Sequence, residues 1–384
     1  MVLLLRPTFT QIWRPPLLAA TALALVTVAC SGGNGGGGNG KAAEGATKRD
    51  AGGATATPAA RDDEEDPGTD EEGEGVGHKN RARPADETPR EIDVLTHVAV
   101  DPSEATPDVL CAVKLDKPED GPQVRSRARA LRIPMMVLAY NWIVDWGRDG
   151  QFDELDKKRF AKWMDINIAP DSHQMVAIDY EHPYWPELRK PGTSPERLAQ
   201  IAAVYREIYA FAKARRPKAR WGFYGLPRRT HRADEAYAAR VRELAPLILR
   251  HEDVVFMTIG DDFKGDHNGR DLEDVRKSVE LTLAEVGPRP VYVFVRGRYF
   301  GRPPMRDEPI PDDEFRAHIG AALDARWRDG NRERKAAGII FWDGRRDKRP
   351  KPASWEELDK MYAGQLALVQ DTVRKRRGPA KSGH

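Results

Sequence analysis

Two carboxylates set two residues apart, Asp179 and Glu181, follow the apolar run Met175-Val176-Ala177-Ile178. Residues i and i+2 of a strand face the same side, so the pair points one way if the run is a strand. Two close carboxylates do not ionise independently, and the pKa of one is pushed up. A neutral carboxylic acid beside an ionised one is the arrangement glycoside cleavage needs. The spacing leaves open whether Asp179 attacks as a nucleophile or orients a substrate group. His182 follows the pair, and strand alternation aims it the other way, so it is assigned no role.

Three further segments have aromatic side chains suited to a sugar ring, whose faces are apolar and whose edges are polar. The first is Tyr180 with Trp185, on either side of the second carboxylate. The second is Trp221-Gly222-Phe223-Tyr224-Gly225-Leu226-Pro227, where glycines flanking aromatics allow close backbone approach and a sharp exit. The third is Gly338-Ile339-Ile340-Phe341-Trp342-Asp343-Gly344, which ends an apolar run in an indole able to floor a pocket. Candidate substrate-binding residues are therefore Tyr224, Trp342, Tyr180, Trp185 and Trp221. An aromatic near a strand end is also a common core residue.

These segments need elements to hold them. Apolar, β-rich runs predict strands at Ile92–Val100, Ile133–Tyr140, Met175–Tyr180, Arg220–Tyr224, Asp253–Ile259, Pro290–Val295 and Gly338–Trp342. Amphipathic stretches predict helices at Phe152–Asp165, Ser194–Arg215, Ala233–Arg250, Asp271–Glu285, Asp312–Arg328 and Ser354–Arg374. Asp271 and Asp312 would serve as N-caps or first-turn acids. Alternation of this kind implies a parallel sheet with crossover helices. The expected fold is α/β, a distorted TIM-like (β/α) barrel of about seven or eight strands, with chemistry at the C-terminal strand ends. No glycine-rich dinucleotide or P-loop turn is present, and Gly297–Gly301 lacks the spacing. No cofactor is expected.

The chain has 384 residues, with 62 Lys and Arg against 60 Asp and Glu. That balance is a sum over unlike parts. Residues 1–30 hold two arginines and no acid, residues 31–90 hold 8 basic and 13 acidic residues, and 91–384 hold 52 and 47. Arg6 and Arg14 precede the apolar run Leu17–Ala29, too short to span a membrane and suited to a secretory signal. The run ends in Thr27-Val28-Ala29-Cys30, which resembles a bacterial lipobox, although that motif favours Leu or a similar apolar residue at the place of Thr27. The resemblance implies cleavage before Cys30 and acylation of its thiol, with the chain held outside the cytoplasm at the outer membrane or cell surface of a bacterial envelope by a lipid anchor alone. Residues 31–90 are Gly-rich, then acidic, and read as a disordered linker. The folded domain is expected over 91–384, as a monomer.

Together the three aromatic and acidic segments resemble the hyaluronidase family of glycoside hydrolases, known from animals and venoms. That family has an apolar strand ending in Asp-aromatic-Glu with a Trp and Pro nearby, matched by Asp179-Tyr180-Glu181 and Trp185-Pro186. Its Trp-Gly-aromatic-Tyr-Gly-x-Pro segment is matched by Trp221–Pro227, and its closing strand ending in Trp by Trp342. The resemblance spans residues 133–343 and is patchy between motifs. It implies a retaining endo-glycosidase acting on a β-linked polymer containing N-acetylhexosamine, of the hyaluronan or chondroitin kind. Glu181 would be the general acid and then base. The substrate's acetamido oxygen would be the nucleophile, with Asp179 orienting it, Tyr224 bonding near it and Trp342 lining its pocket. The chain departs from the family in three ways. Cys111 is the only cysteine of the body, so no internal disulfide forms. A family tyrosine is replaced by Phe256, and a glycine after the final Trp by Asp343.

Other signals point elsewhere or nowhere. Arg228, Arg229, Arg232, Arg296, Arg298, Arg345 and Arg346 cluster near strand ends, where a basic rim would favour a polyanionic polysaccharide. The tail Arg374–Arg377 reads as a frayed basic helix end with at most weak contact to anionic lipid. Asp261, Asp262, Asp266, His267 and Asn268 do not match calcium-loop spacing, and no metal is expected. The net charge of +2 gives no reason to expect a nucleic-acid partner. No Gly-x-Ser-x-Gly elbow is present. A glycosidase of other specificity on the same barrel, and a surface lipoprotein that binds glycan without cleaving it, are the competing readings.

Overall fold

The computed structural model describes residues 107–114, 120–189, 192–228, 233–259, 269–299, 306–344 and 347–378. The leader with Cys30, the linker over 31–90, the expected strand Ile92–Val100 and the loop over 261–268 lie outside them.

Among the described residues, seven parallel strands build the sheet. They are β1 (Val109–Cys111), β2 (Val137–Tyr140), β3 (Met175–Asp179), β4 (Arg220–Arg228), β5 (Val255–Thr258), β6 (Val291–Val295) and β9 (Gly338–Phe341), in the order β1-β9-β6-β5-β4-β3-β2. β7 (Trp327–Asp329) and β8 (Arg332–Arg334) form a separate antiparallel hairpin. The two outer strands of the sheet meet. Cys111 N donates to Pro134 O at 2.9 Å and Met136 N to Cys111 O at 2.6 Å, which curls the sheet into a distorted barrel. The strands are continuous apolar runs, as parallel strands covered on both faces must be. All five residues of β6 and all four of β9 are buried.

Helices cover the outside: α1 (Pro122–Leu131), α2 (Asn141–Val144), α3 (Glu154–Asn167), α4 (Trp185–Arg189), α5 (Pro195–Arg215), α6 (Glu235–Leu247), α7 (Gly269–Glu285), α8 (Asp312–Asp324) and α9 (Trp355–Arg377). Their ends follow capping chemistry. Asp153 accepts from Leu155 N and Asp156 N to start α3, Ser194 accepts from Arg197 N ahead of Pro195 in α5, and Ser354 with Glu357 forms a capping box on α9. α5 buries Leu198, Ile201, Ala202, Tyr205, Ile208 and Ala212 against the barrel. Each large side chain so buried contributes about 1.5–3 kcal/mol of transfer free energy.

Three expectations need correcting. α8 stops at Asp324 instead of Arg328, because Trp327–Asp329 pairs with Arg332–Arg334 in the hairpin. The basic tail is not frayed: α9 continues to Arg377, with Arg376 paired to Asp324 and Arg377 to Asp108. The strand that carries Cys111, β1, was not expected from its short sequence. Cys111 itself is fully buried, and burial pushes its thiol up to about 12, in keeping with an inert apolar role.

Candidate active site

Three strands each give one ring to the helix layer, and alternation sends the next residue to the barrel side. After β3, Tyr180 packs on Tyr205 of α5 with ring centroids 5.2 Å apart. In β4, Phe223 meets the same Tyr205 at 4.6 Å. In β9, Phe341 faces Phe315 of α8 and Tyr362 of α9. Asp179, Tyr224 and Trp342 are the neighbours of these residues, so all three turn to the barrel side at the C-terminal strand ends. Register agrees: Asp179 is level with Tyr140 on β2, and the pair Ile178–Phe223 brings Asp179 and Tyr224 next in line.

The aromatic residues form one wall. Trp185 stacks on Tyr224 with centroids 6.0 Å apart and planes 22° off parallel, and Tyr224 meets Trp342 at 5.9 Å. Phe294 of β6 supports Tyr224 edge-on at 4.8 Å. Two glycines permit this. Gly225 has φ +72°, and a Cβ there would lie 2.9 Å from the Trp185 ring. A Cβ on Gly222 would fall 1.9 Å from Val254 O, so β4 and β5 approach at a distance only glycine allows.

Glu181 is tied to this wall through its backbone. Trp185 N donates to Glu181 O at 2.8 Å as α4 begins. From the other side, Asn141 Oδ1 accepts from Glu181 N at 2.9 Å and from His182 N at 2.8 Å. Both carboxylates lie near the buried phenol of Tyr205. That phenol is pushed well above its usual range by burial, then by Glu181, Tyr184 and Asp179. Its hydroxyl donates to Tyr180 O at 2.6 Å, which anchors the chain between the two acids.

Two expected substrate contacts are not brought here. Tyr180 is 1% exposed, and its hydroxyl donates to Asp145 Oδ2 at 3.2 Å in the helix-facing layer. Trp221 is fully buried at the opposite end of β4, with Nε1 donating to Arg216 O at 3.2 Å and its ring edge-on to Phe160. The alternation that turns Tyr224 inward sends Trp221 outward. Phe256 is level with Tyr224 on β5 but sits in the core against Tyr292 and Phe294, so it contributes no polar group.

The basic rim also needs correction where it is described. Arg296 and Arg298 do not face solvent. Arg296 Nε meets Asp343 Oδ1 at 3.0 Å and Nη2 meets Asp307 Oδ1 at 2.6 Å. Arg298 Nη2 meets Asp343 Oδ1 at 2.6 Å and donates to Gly344 O at 3.0 Å. Arg296 also lies over the Trp342 ring at 5.6 Å. Asp343, unusual beside the family pattern, is thus the acid that joins both guanidinia behind the aromatic wall. The Arg228 side chain and Arg229, Arg232, Arg345 and Arg346 lie outside the described residues. Asn141 escaped sequence reasoning, and Asp343 was read only as a departure from the family pattern, because their partners are 40 or more residues away. The only local hint was a polar residue directly after an apolar strand.

No protein-family model and no curated protein sequence matches the chain. Among solved structures it is similar to bee venom hyaluronidase. The complex of that enzyme with a hyaluronic acid tetramer aligns at 13% identity with a TM-score of 0.50, covering 70% of this chain and 98% of that one. A monoclinic crystal form aligns at 14% identity and 0.47, covering 70% and 99%. A GH5-4 broad-specificity endoglucanase from an uncultured bacterium aligns at 10% identity and 0.35, covering 68% and 85%. At such identities the likeness is one of fold, a distorted (β/α) barrel.

Proposed function

We propose that this chain is a retaining endo-glycosidase that cleaves a β-linked polymer containing N-acetylhexosamine, with hyaluronan and chondroitin as model substrates. The observation that carries the reading is the placement of Asp179 at the end of β3, level with Tyr224 and the aromatic wall of Trp185 and Trp342, with Glu181 two residues on.

In this reading Glu181 protonates the glycosidic oxygen as the bond to the anomeric carbon breaks. The acetamido oxygen of the same sugar attacks that carbon and forms a cyclic, positively charged intermediate. Asp179 stabilises that charge and holds the acetamido N–H. Glu181, now a carboxylate, takes a proton from water, which opens the ring with retained configuration. Tyr224 would hydrogen-bond near the acetamido group, and Trp342 would floor its pocket. On the sequence of the leader, the enzyme would be acylated at Cys30 and work outside the cytoplasm on an envelope membrane.

Glu181→Gln should lower release of reducing ends from hyaluronan or chondroitin by about 10²–10⁴-fold while the melting temperature stays within a degree or two. Unchanged turnover would remove Glu181 from the chemistry. A thiazoline mimic of the cyclic intermediate should inhibit the enzyme. Turnover that resists it would point instead to Asp179 as a covalent nucleophile. Glycan binding with no turnover would favour a non-catalytic lipoprotein, for which the missing hydroxyl at Phe256 is the motivating feature.

A further inference from the structure

Asn141 is the first residue of α2, one place beyond Tyr140, which stands level with Asp179. Its Oδ1 accepts two consecutive backbone N–H groups, those of Glu181 at 2.9 Å and His182 at 2.8 Å. Only the oxygen end of the amide can do this, so the donors dictate its orientation. Nδ2 then faces the other way. It is buried and has no hydrogen-bond partner among the described residues. Leaving a buried donor unmade is unfavourable, so the residue is not there for the sake of its own hydrogen-bonding tally.

An aspartate would look better suited on stability grounds. Its carboxylate would accept the same two N–H groups more strongly and leave no orphan donor. It would also place a third carboxylate beside Asp179 and Glu181, where each added negative charge makes proton release from an acid harder. An alanine would add no charge but would leave two N–H groups without this acceptor. Of the three, asparagine combines the acceptor with neutrality. We propose that Asn141 is a positioning residue for Glu181, a neutral acceptor that fixes the backbone of residues 181 and 182 and so the place from which the proton is delivered. The inference rests on the reading of Glu181 as general acid.

The test compares Asn141→Ala and Asn141→Asp in the full chain, with Glu181→Gln as reference. It measures initial rates on hyaluronan from pH 3.5 to 8, together with melting temperatures. Asn141→Ala should lower kcat on the order of 10²-fold with KM within about twofold, since misplacing a reacting group by about an ångström costs that much. Asn141→Asp should recover kcat to within about tenfold of the wild type, because the acceptor is restored. It should also shift the alkaline limb of kcat/KM upward by about one pH unit, because the added charge raises the acid's pKa. If Glu181→Gln is inactive but Asn141→Ala keeps wild-type kcat and both limbs, the positioning role fails alone. If both Asn141 variants lose activity alike with the limb unmoved, the residue is merely structural and the proposal is overturned. If wild type does not cleave hyaluronan, or Glu181→Gln retains its activity, the general-acid reading falls and takes this inference with it.

Discussion

The β2–β3 side and the β6–β9 side of the barrel treat their buried acids in opposite ways. Beside β3, Asp145 is fully buried and satisfied by neutral donors: Gly150 N at 2.9 Å, Asp149 N at 3.3 Å and the Tyr180 hydroxyl. Burial raises its pKa, and the N–H groups offset this only in part. Beside β9, Asp343 is equally buried but meets two guanidinia. Burial alone would raise its pKa, yet Arg296 and Arg298 more than compensate and hold it below the usual carboxylate range. The same residue type on two sides of the barrel is thus an acid with a raised pKa on one and a fixed charge on the other. The partners arriving from distant sequence decide which.

The largest test of that contrast removes the fixed charge. Asp343→Ala would remove the acid that meets Arg296 Nε and strip Arg298 of its bidentate partner, inside a region of almost no solvent exposure. Breaking a buried pair by deleting one partner costs about 3–5 kcal/mol. Urea unfolding at pH 7 should show a loss of that size, and Trp342 fluorescence should change because Arg296 lies over its ring. The Asp343 pKa is depressed in the folded state. Its contribution is therefore present above the ordinary carboxylate pKa of about 4 and fades as pH falls below it. A loss under about 1 kcal/mol would erase the difference between the two sides.

The parts of this arrangement legible in the sequence are those encoded by short periods. Apolar runs identified β3, β4, β6 and β9, and put Asp179, Tyr224 and Trp342 at or near strand ends. The expected helix starts Ser194 and Ser354 are the residues that cap α5 and α9. What was not legible depends on partners far along the chain. Arg296 and Arg298 read as a solvent-facing rim because nothing near them announces Asp343, some 45 residues on. α1 has no side-chain cap of its own, and its first N–H groups are taken by Asp359 of α9, 235 residues away. Tyr180 and Trp221 lie away from the aromatic wall for a simpler reason: strand alternation turns them to the outer face.

Glu252 extends the contrast to the base of the sheet. It lies before β5 with 2% exposure, and neither carboxyl oxygen makes a hydrogen bond of normal geometry among the described residues. Burial pushes its pKa well above the usual range, the Phe223 N–H offsetting this in part and Asp253 adding to it. It sits just before β5, beside Gly222 of β4, whose missing side chain leaves room for its Oε2. The sign is opposite to that of Asp343. A raised folded pKa means that the stability is full below the unfolded value of about 4.5 and declines as pH rises, because unfolding then releases a proton. Wild type should lose about 1.4 kcal/mol per pH unit between that value and the folded pKa. Glu252→Gln should flatten this slope in denaturant titrations at pH 5, 6 and 7. Parallel slopes for the two proteins would mean that Glu252 is not held neutral.

The smallest expected effect separates scaffolding from substrate contact on the β3 side. Tyr180→Phe deletes the hydroxyl that donates to Asp145 and keeps the ring packed on Tyr205 and Tyr184. Asp145 retains its two backbone donors, so the loss should be about 0.5–1.5 kcal/mol, the net value of one hydrogen bond. Because the hydroxyl faces Asp145 and away from Tyr224, KM for hyaluronan should stay within about twofold of wild type, whereas Tyr224→Phe should raise KM or lower kcat by more. A rise in KM for Tyr180→Phe as large as that for Tyr224→Phe would place the Tyr180 hydroxyl on the sugar. The β2–β3 side would then bind substrate with the same residue that braces its acid.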